Sequence, residues 1–235
     1  YEGTEVTGDV DVTLVRGTVV VEDGVLSVVA PGLLVNDTDA DGNALTITGD
    51  ASVGGAITGV TNFSVSGAST LGGDVTTTGT QIYTGAVTVS GGDRTLTGTT
   101  IQNASTIAGG GNGLTIAGNA DVDGAITGIT NFAVSGSSNL GANVTTSGTQ
   151  TYTGAVTLSG GDRTLTGTTI NNVSTIAGAG NGLTLTGNAD VDGAITGVTN
   201  FAVSGNSNLG ANVTTSGTQI YTGAVTLSGG NRTLT

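Results

Sequence analysis

The chain has no cysteine, histidine, lysine, methionine or tryptophan, one proline, and only 3% aromatic residues among its 235. Without cysteine there is no disulfide framework and no thiol chemistry, which suits an extracellular setting and equally permits a reducing one. Without histidine or lysine the usual general bases are missing, and the four arginines are the only basic side chains. A basic footprint for nucleic acid is excluded, since the formal net charge is -13. No run approaches the ~18 apolar residues of a membrane-spanning helix, so no membrane insertion is expected. No signal-peptide pattern opens the chain. It does not begin with methionine, which leads us to expect removal of a targeting segment or excision from a longer protein. Few aromatics also mean that a wide globular core would lack filler, whereas valine, leucine, isoleucine and alanine suffice for a narrow one.

What the chain has in abundance is glycine, 44 residues of it, together with threonine, serine, alanine and asparagine. The glycines do not follow the every-third-residue rule of collagen. Low charge combined with regularly placed β-branched residues also disfavours disorder.

The dominant feature is repetition. Phe63, Phe132 and Phe201 recur with a period of 69, as do Tyr83, Tyr152 and Tyr221, and Arg94, Arg163 and Arg232. Residues 94–162 and 163–231 are identical at 60 of 69 positions. A partial, more divergent copy occupies 46–93, and a further copy stops at 232–235, so the array reads as part of a longer one or as an assembly boundary. Residues 1–45 stand apart as a β-rich cap or junction, and the first 50 positions hold ten of the 17 acidic residues, Asp50 included.

Within each copy, short alternating stretches end at glycine: "FAVSG" at 132–136, "NVTTSG" at 143–148 and "AVTLSG" at 155–160. Alternation at period two, β-branched residues and glycine punctuation predict strands and turns, with no helical period anywhere. Val156 and Leu158 should point inward and Thr157 outward. Strand pieces averaging about ten residues cannot stand as free domains, but they suit the sides of a solenoid whose coils bury apolar faces on one another. The expected fold is therefore all-β, a parallel β-solenoid, or β-helix, built from these repeats. Three coils of about 23 residues divide the period evenly, and a coil of about 20 residues with an insertion is the alternative. Eight or so coils would make a rod on the order of 40 Å long, with like residues stacked.

Candidate ladder residues are Phe63, Phe132 and Phe201; Asn62, Asn131 and Asn200; and Tyr83, Tyr152 and Tyr221. The asparagines, with Asn119 and Asn188, either hydrogen-bond turn backbone within the stack or occupy surface turns in the left-handed region. The tyrosines either pack inside or form a periodic contact surface. The arginines, following Asp93 and Asp162 in two copies, read as edge charges with pairing across coils as an option. Outward threonines such as Thr95, Thr97, Thr164 and Thr166 offer a candidate exposed face for ice or glycan.

Near the start, Asp37, Asp39, Asp41 and Asn43 alternate in an oxygen-rich loop. That spacing suits a hard cation with six to eight oxygen ligands, calcium above all. The loop lacks the glutamate that an EF-hand carries at its twelfth position, and an acidic solvated turn is the other reading. "EDGVLSVVAPGLLVNDTDADGNALT" at 22–46 resembles the cadherin-like or VCBS-type modules of large bacterial secreted proteins. Asn43 departs from the aspartate common there. The glycine-, threonine- and asparagine-rich repeats are similar to those of giant bacterial repeat adhesins and filamentous-haemagglutinin-like β-helical proteins. The resemblance implies export, length and display at a bacterial cell surface. Solenoid ends expose pairing groups, so self-association or further repeats are the expected partners, with a glycan or surface receptor on the outward hydroxyls as the other option.

Catalysis needs unlike polar groups converging in a pocket. The repeat supplies only Asp121 and Asp123, with Asp190 and Asp192; the first copy has Ser52 and Gly54 instead. A non-enzymatic extracellular filament or adhesin stalk is the leading expectation, and a surface binding module for glycan, receptor or ice is the alternative.

Overall fold

The computed structural model describes residues 44–235 in full and, as backbone, the strands Val12–Val15, Thr18–Val21 and Leu26–Val29. The first two of these pair antiparallel. Every other pairing between described strands is parallel, and those strands form a parallel β-solenoid in an all-β chain of described elements.

Following hydrogen-bonded neighbours from coil to coil reveals three ladders, hence three flat faces. On the first face the inward positions run Leu45, Phe63, Gln81, Ile101, Ala120, Ser138, Val156, Ile176, Ile195 and Val213. The second face begins at Ala51 and Ser69, the third at Ile57 and Val75. Leu26–Val29 adds in register before Leu45–Thr48, so the ladder reaches into the N-terminal segment. At ~4.8 Å between strands, the ten coils from Leu45 to Val213 span roughly 45 Å.

Alternation behaves as the sequence predicts. Val156 and Leu158 are buried with Thr157 exposed between them, and Phe132 and Val134 are buried around Ala133. A single narrow core of valine, leucine, isoleucine, phenylalanine and tyrosine runs the length of the rod.

Coil length departs from an even division of the repeat into three. On the first face Phe63 neighbours Gln81, Gln81 neighbours Ile101 and Ile101 neighbours Ala120, so successive steps in sequence number are 18, 20 and 19. A still longer step occurs at Val75–Leu96 and again at Val144–Leu165. The longer coils contain glycine loops: Gly91 and Gly92 have φ of 68° and 122°, Gly110 and Gly111 of 59° and 87°. Positive φ is cheap only for glycine, so these residues let the chain bulge outward at a corner without disturbing the ladders.

One consequence governs the surface. From Phe63 to Phe132 the chain passes eleven sides, three and two-thirds coils. Phe63 therefore lies on the first face, Phe132 on the third, beside Leu114 and Gln150, and Phe201 on the second, beside Leu183 and Gln219. Equivalent residues of successive copies therefore do not stack on one another, although like types do meet, as Ile107 on Ile126 and Leu165 on Leu185. Each copy is turned by a third of a revolution and advanced by about 18 Å at ~4.8 Å per coil.

Candidate functional surface

The inward half of each repeat is committed to the core. Phe63, Phe132 and Phe201 are fully buried, each in an edge-to-face contact with Tyr83, Tyr152 and Tyr221 at 5.9, 6.0 and 5.9 Å between ring centroids. Such contacts set the positive edge of one ring against the negative face of the other. Burial pushes the phenols of Tyr83 and Tyr152 far above their usual range, and that of Tyr221 upward in the same sense.

Beside each pair of rings, one coil on from the phenylalanine, lies a residue that sequence reasoning passed over. Gln81 and Gln150 are fully buried. Gln150 Nε2 donates to the carbonyls of Thr166 at 2.7 Å and Val144 at 3.1 Å, and its Oε1 accepts from Tyr152 Oη at 2.9 Å. Gln81 repeats the pattern with Thr97, Val75 and Tyr83. The signal was present in "GTQIYTG" and "GTQTYTG": strand alternation that turns tyrosine inward turns the glutamine two residues earlier inward as well.

Asn103 and Asn172, also buried, neighbour Tyr83 and Tyr152 on the next coil. Neither amide atom of either has a hydrogen-bond partner among the described residues.

At the corners, carboxamides reach one coil forward. Oδ1 of Asn62, Asn131 and Asn200 accepts the backbone N–H of Thr80, Thr149 and Thr218 at 2.7, 2.9 and 2.9 Å. Asn119 and Asn188 do the same for Ser137 and Asn206 at 2.9 and 3.0 Å. None of these asparagines has a positive φ; the only described non-glycine residue with one is Ala179, at 51°. Bonding across coils, rather than left-handed geometry, places asparagine there.

The arginines fold back on their own glycine loops. Arg94 Nε donates to Ser90 O at 3.0 Å, and Arg163 Nε to Ser159 O at 2.9 Å. Asp93 and Asp162 accept from Gly113 and Gly182 N–H at 2.6 Å each. Arg94 also lies 3.9 Å from Asp74, across coils.

The four outward threonines are not brought together. Thr95 and Thr97 lie on the third face, beside Thr115 and Thr76; Thr164 and Thr166 lie on the second, beside Thr184, Thr186 and Thr145. The second face does carry a longer column: Ser52, Thr70, Thr88, Ala108 and Thr127 in register, then Thr145, Thr166 and Thr186 after a shift at Ile126/Ile129.

The carboxylates are likewise dispersed. Asp121 and Asp190 accept from Nδ2 of Asn139 and Asn208 at 2.8 Å, whereas Asp123 and Asp192 lie just past the strand ends and are exposed. No group of three or more metal-ligating side chains occurs among the described residues. Asp37, Asp39, Asp41 and Asn43 lie outside the described residues, so the calcium expectation is neither met nor opposed. No helix among the described residues is long and apolar enough to cross a membrane.

Fold and surface together define the class: a tandem-repeat β-solenoid scaffold without catalytic-looking features among the described residues. No family model, curated protein or solved structure matches the chain. The cadherin-like resemblance of residues 22–46 therefore gains no support from these comparisons.

Proposed function

We propose that this chain is a non-enzymatic structural rod, a segment of an extracellular filament or adhesin stalk at a bacterial surface. The observation that carries the reading is the eleven-sided repeat. Because copies turn by a third of a revolution, the same loops and polar ladders face all three directions. A rod of that kind is uniform around its axis, which suits a spacer, whereas an active site needs one concave place where unlike groups converge. The interior of the described coils is a continuous apolar core, and the corner asparagines hold the backbone of the next coil.

Negative-stain electron microscopy of the purified chain tests this. Straight particles of one width, roughly 45 Å long or multiples of that, are the expected result. Globular particles would overturn the reading.

A second reading, a binding surface for glycan, receptor or ice, draws on the hydroxyl column of the second face. Glycan-array binding or ice-recrystallisation inhibition that is lost in Thr88→Val/Thr145→Val would establish it. Activity indifferent to those changes would remove the column from consideration.

A further inference from the structure

An asparagine followed by glycine is the dipeptide most prone to lose its side-chain amide, because glycine has no side chain to hinder ring closure. The chain contains this dipeptide twice, at Asn112–Gly113 and Asn181–Gly182, equivalent positions of successive copies. Each closes a loop of positive φ, formed by Gly110 and Gly111 in one copy and by Ala179 and Gly180 in the next.

The reaction needs no partner but water. The nitrogen of Gly113 attacks Cγ of Asn112 and gives its proton to solvent, and the side-chain nitrogen leaves as ammonia. Water then opens the resulting succinimide to aspartate or isoaspartate. For this the glycine N–H must be free and the carboxamide must turn over it.

The structure withholds both conditions. Gly113 N–H donates to Asp93 Oδ1 at 2.6 Å, and Gly182 N–H to Asp162 Oδ1 at 2.6 Å, each aspartate lying one coil earlier. Asn112 Nδ2 donates to Gly109 O at 2.9 Å and Val89 O at 3.3 Å. Asn181 Nδ2 does the same with Gly178 O at 3.0 Å and Leu158 O at 3.3 Å. The flanking backbone is held as well: Asn112 O accepts from Thr130 N–H at 2.9 Å and Gly113 O from Arg94 N–H at 3.0 Å. A Cβ at Gly113 would lie 3.0 Å from Asp93 Cγ, and one at Gly182 3.1 Å from Asp162 Cγ. The glycine that makes the dipeptide reactive is therefore also what lets the carboxylate reach the N–H. Ring closure requires a local opening that breaks a hydrogen bond to a charged acceptor, one of the stronger kinds.

We propose that Asn112 and Asn181 are masked deamidation sites, and that Asp93 and Asp162 keep them closed by engaging the N–H of the attacking nitrogen. Conversion to aspartate would set a carboxylate against the carbonyls of Gly109 and Val89 in place of a donor. Conversion to isoaspartate would add a backbone atom just before Leu114, whose N–H donates to Asn131 O at 2.9 Å in the ladder. The masking thus preserves the register of the rod. It goes beyond the rod reading and holds equally if the surface binds a ligand.

The test holds the full chain in mildly alkaline buffer, folded and in urea, and follows asparagine, aspartate and isoaspartate at each site by peptide mass spectrometry. The folded parent should react at both sites at least about tenfold more slowly than the unfolded chain. Asp93→Ala should speed the reaction at Asn112 by about tenfold and leave Asn181 at the parent rate, a folding control within the same molecule. Asp93→Asn retains an acceptor, as the last copy does with Asn231, and should stay within about threefold of the parent. Equal rates in the folded and unfolded chains overturn the masking. An Asp93→Ala variant that reacts at the parent rate overturns the assignment to Asp93. Equal acceleration at Asn112 and Asn181 in that variant overturns it too, because general opening and not the local bond would then set the rate.

Discussion

Replacing Gln150 by leucine probes how the narrow core tolerates polarity. The side chain is fully buried between Phe132 and Ile170 on the third-face ladder. Leucine supplies comparable volume, so hydrophobic transfer alone would predict a gain. Hydrogen-bond accounting predicts the opposite. The substitution strips Tyr152 Oη of its acceptor at 2.9 Å and the carbonyls of Val144 and Thr166 of a donor at 3.1 and 2.7 Å. A buried group left unsatisfied costs about 1–3 kcal/mol. The carbonyls can retain ladder bonds, so the hydroxyl dominates, and a net loss of about 2–4 kcal/mol is expected. Urea denaturation of the parent, Gln150→Leu, Tyr152→Phe and the double variant measures it as a cycle. Removing the hydroxyl in the Gln150→Leu background should recover about 1–2 kcal/mol relative to the additive sum. A single Gln150→Leu as stable as the parent, or a cycle with no coupling, would refute the reasoning.

Stability should fall in alkali. The folded state raises the phenol pKa of Tyr83 and Tyr152 by burial, so above the unfolded value of about 10 the unfolded chain releases protons that the folded chain keeps. Stability from these groups is complete below a pH of about 10 and declines as pH rises beyond it; a melting temperature unchanged between about pH 9 and 11.5 would contradict this. Asn172→Leu should raise stability by about 1 kcal/mol, because it removes a buried amide with no partner among the described residues; a loss in thermal denaturation would show that the amide is satisfied by solvent. Asp74→Asn should be neutral within about 0.5 kcal/mol by the same assay, since a half-exposed ion pair at 3.9 Å contributes little. Asn143 makes the corresponding bond to Thr164 N–H at 2.9 Å that Asp74 makes to Thr95.

Strand identity was legible because it depends on local alternation: in "AVTLSG" the apolar residues at 156 and 158 could only share a side. Coil length was not legible. It depends on where the chain turns a corner, and the loops at Gly91–Gly92 and Gly110–Gly111 lengthen some coils without interrupting the alternation. A repeat whose length is a multiple of three also invites division into three coils, whereas the pairings divide it into eleven sides. The expectation that phenylalanine stacks on phenylalanine failed for the same reason, since Phe63 meets Gln81. Buried glutamine escaped notice because its amide counts as polar in any alternation pattern, although its spacing from Tyr83 fixed its direction. The corner asparagines were half legible. Their hydrogen bonds to turn backbone were among the two options weighed, but the partner lies 18 residues away, a distance set by coil length.

The account rests most heavily on coil register, and the absence of cysteine gives a clean background for testing it. Thr145 and Thr166 are outward neighbours on adjacent strands. Neighbouring strands lie ~4.8 Å apart, within the ~4.4–6.8 Å between Cα atoms that a disulfide spans. Thr145→Cys/Thr166→Cys should oxidise to an intramolecular disulfide in the folded protein, and Thr145→Cys/Thr168→Cys, the pair that an even three-way division of the repeat would align, should stay reduced. Cross-linking of the second pair and not the first would contradict the eleven-sided repeat.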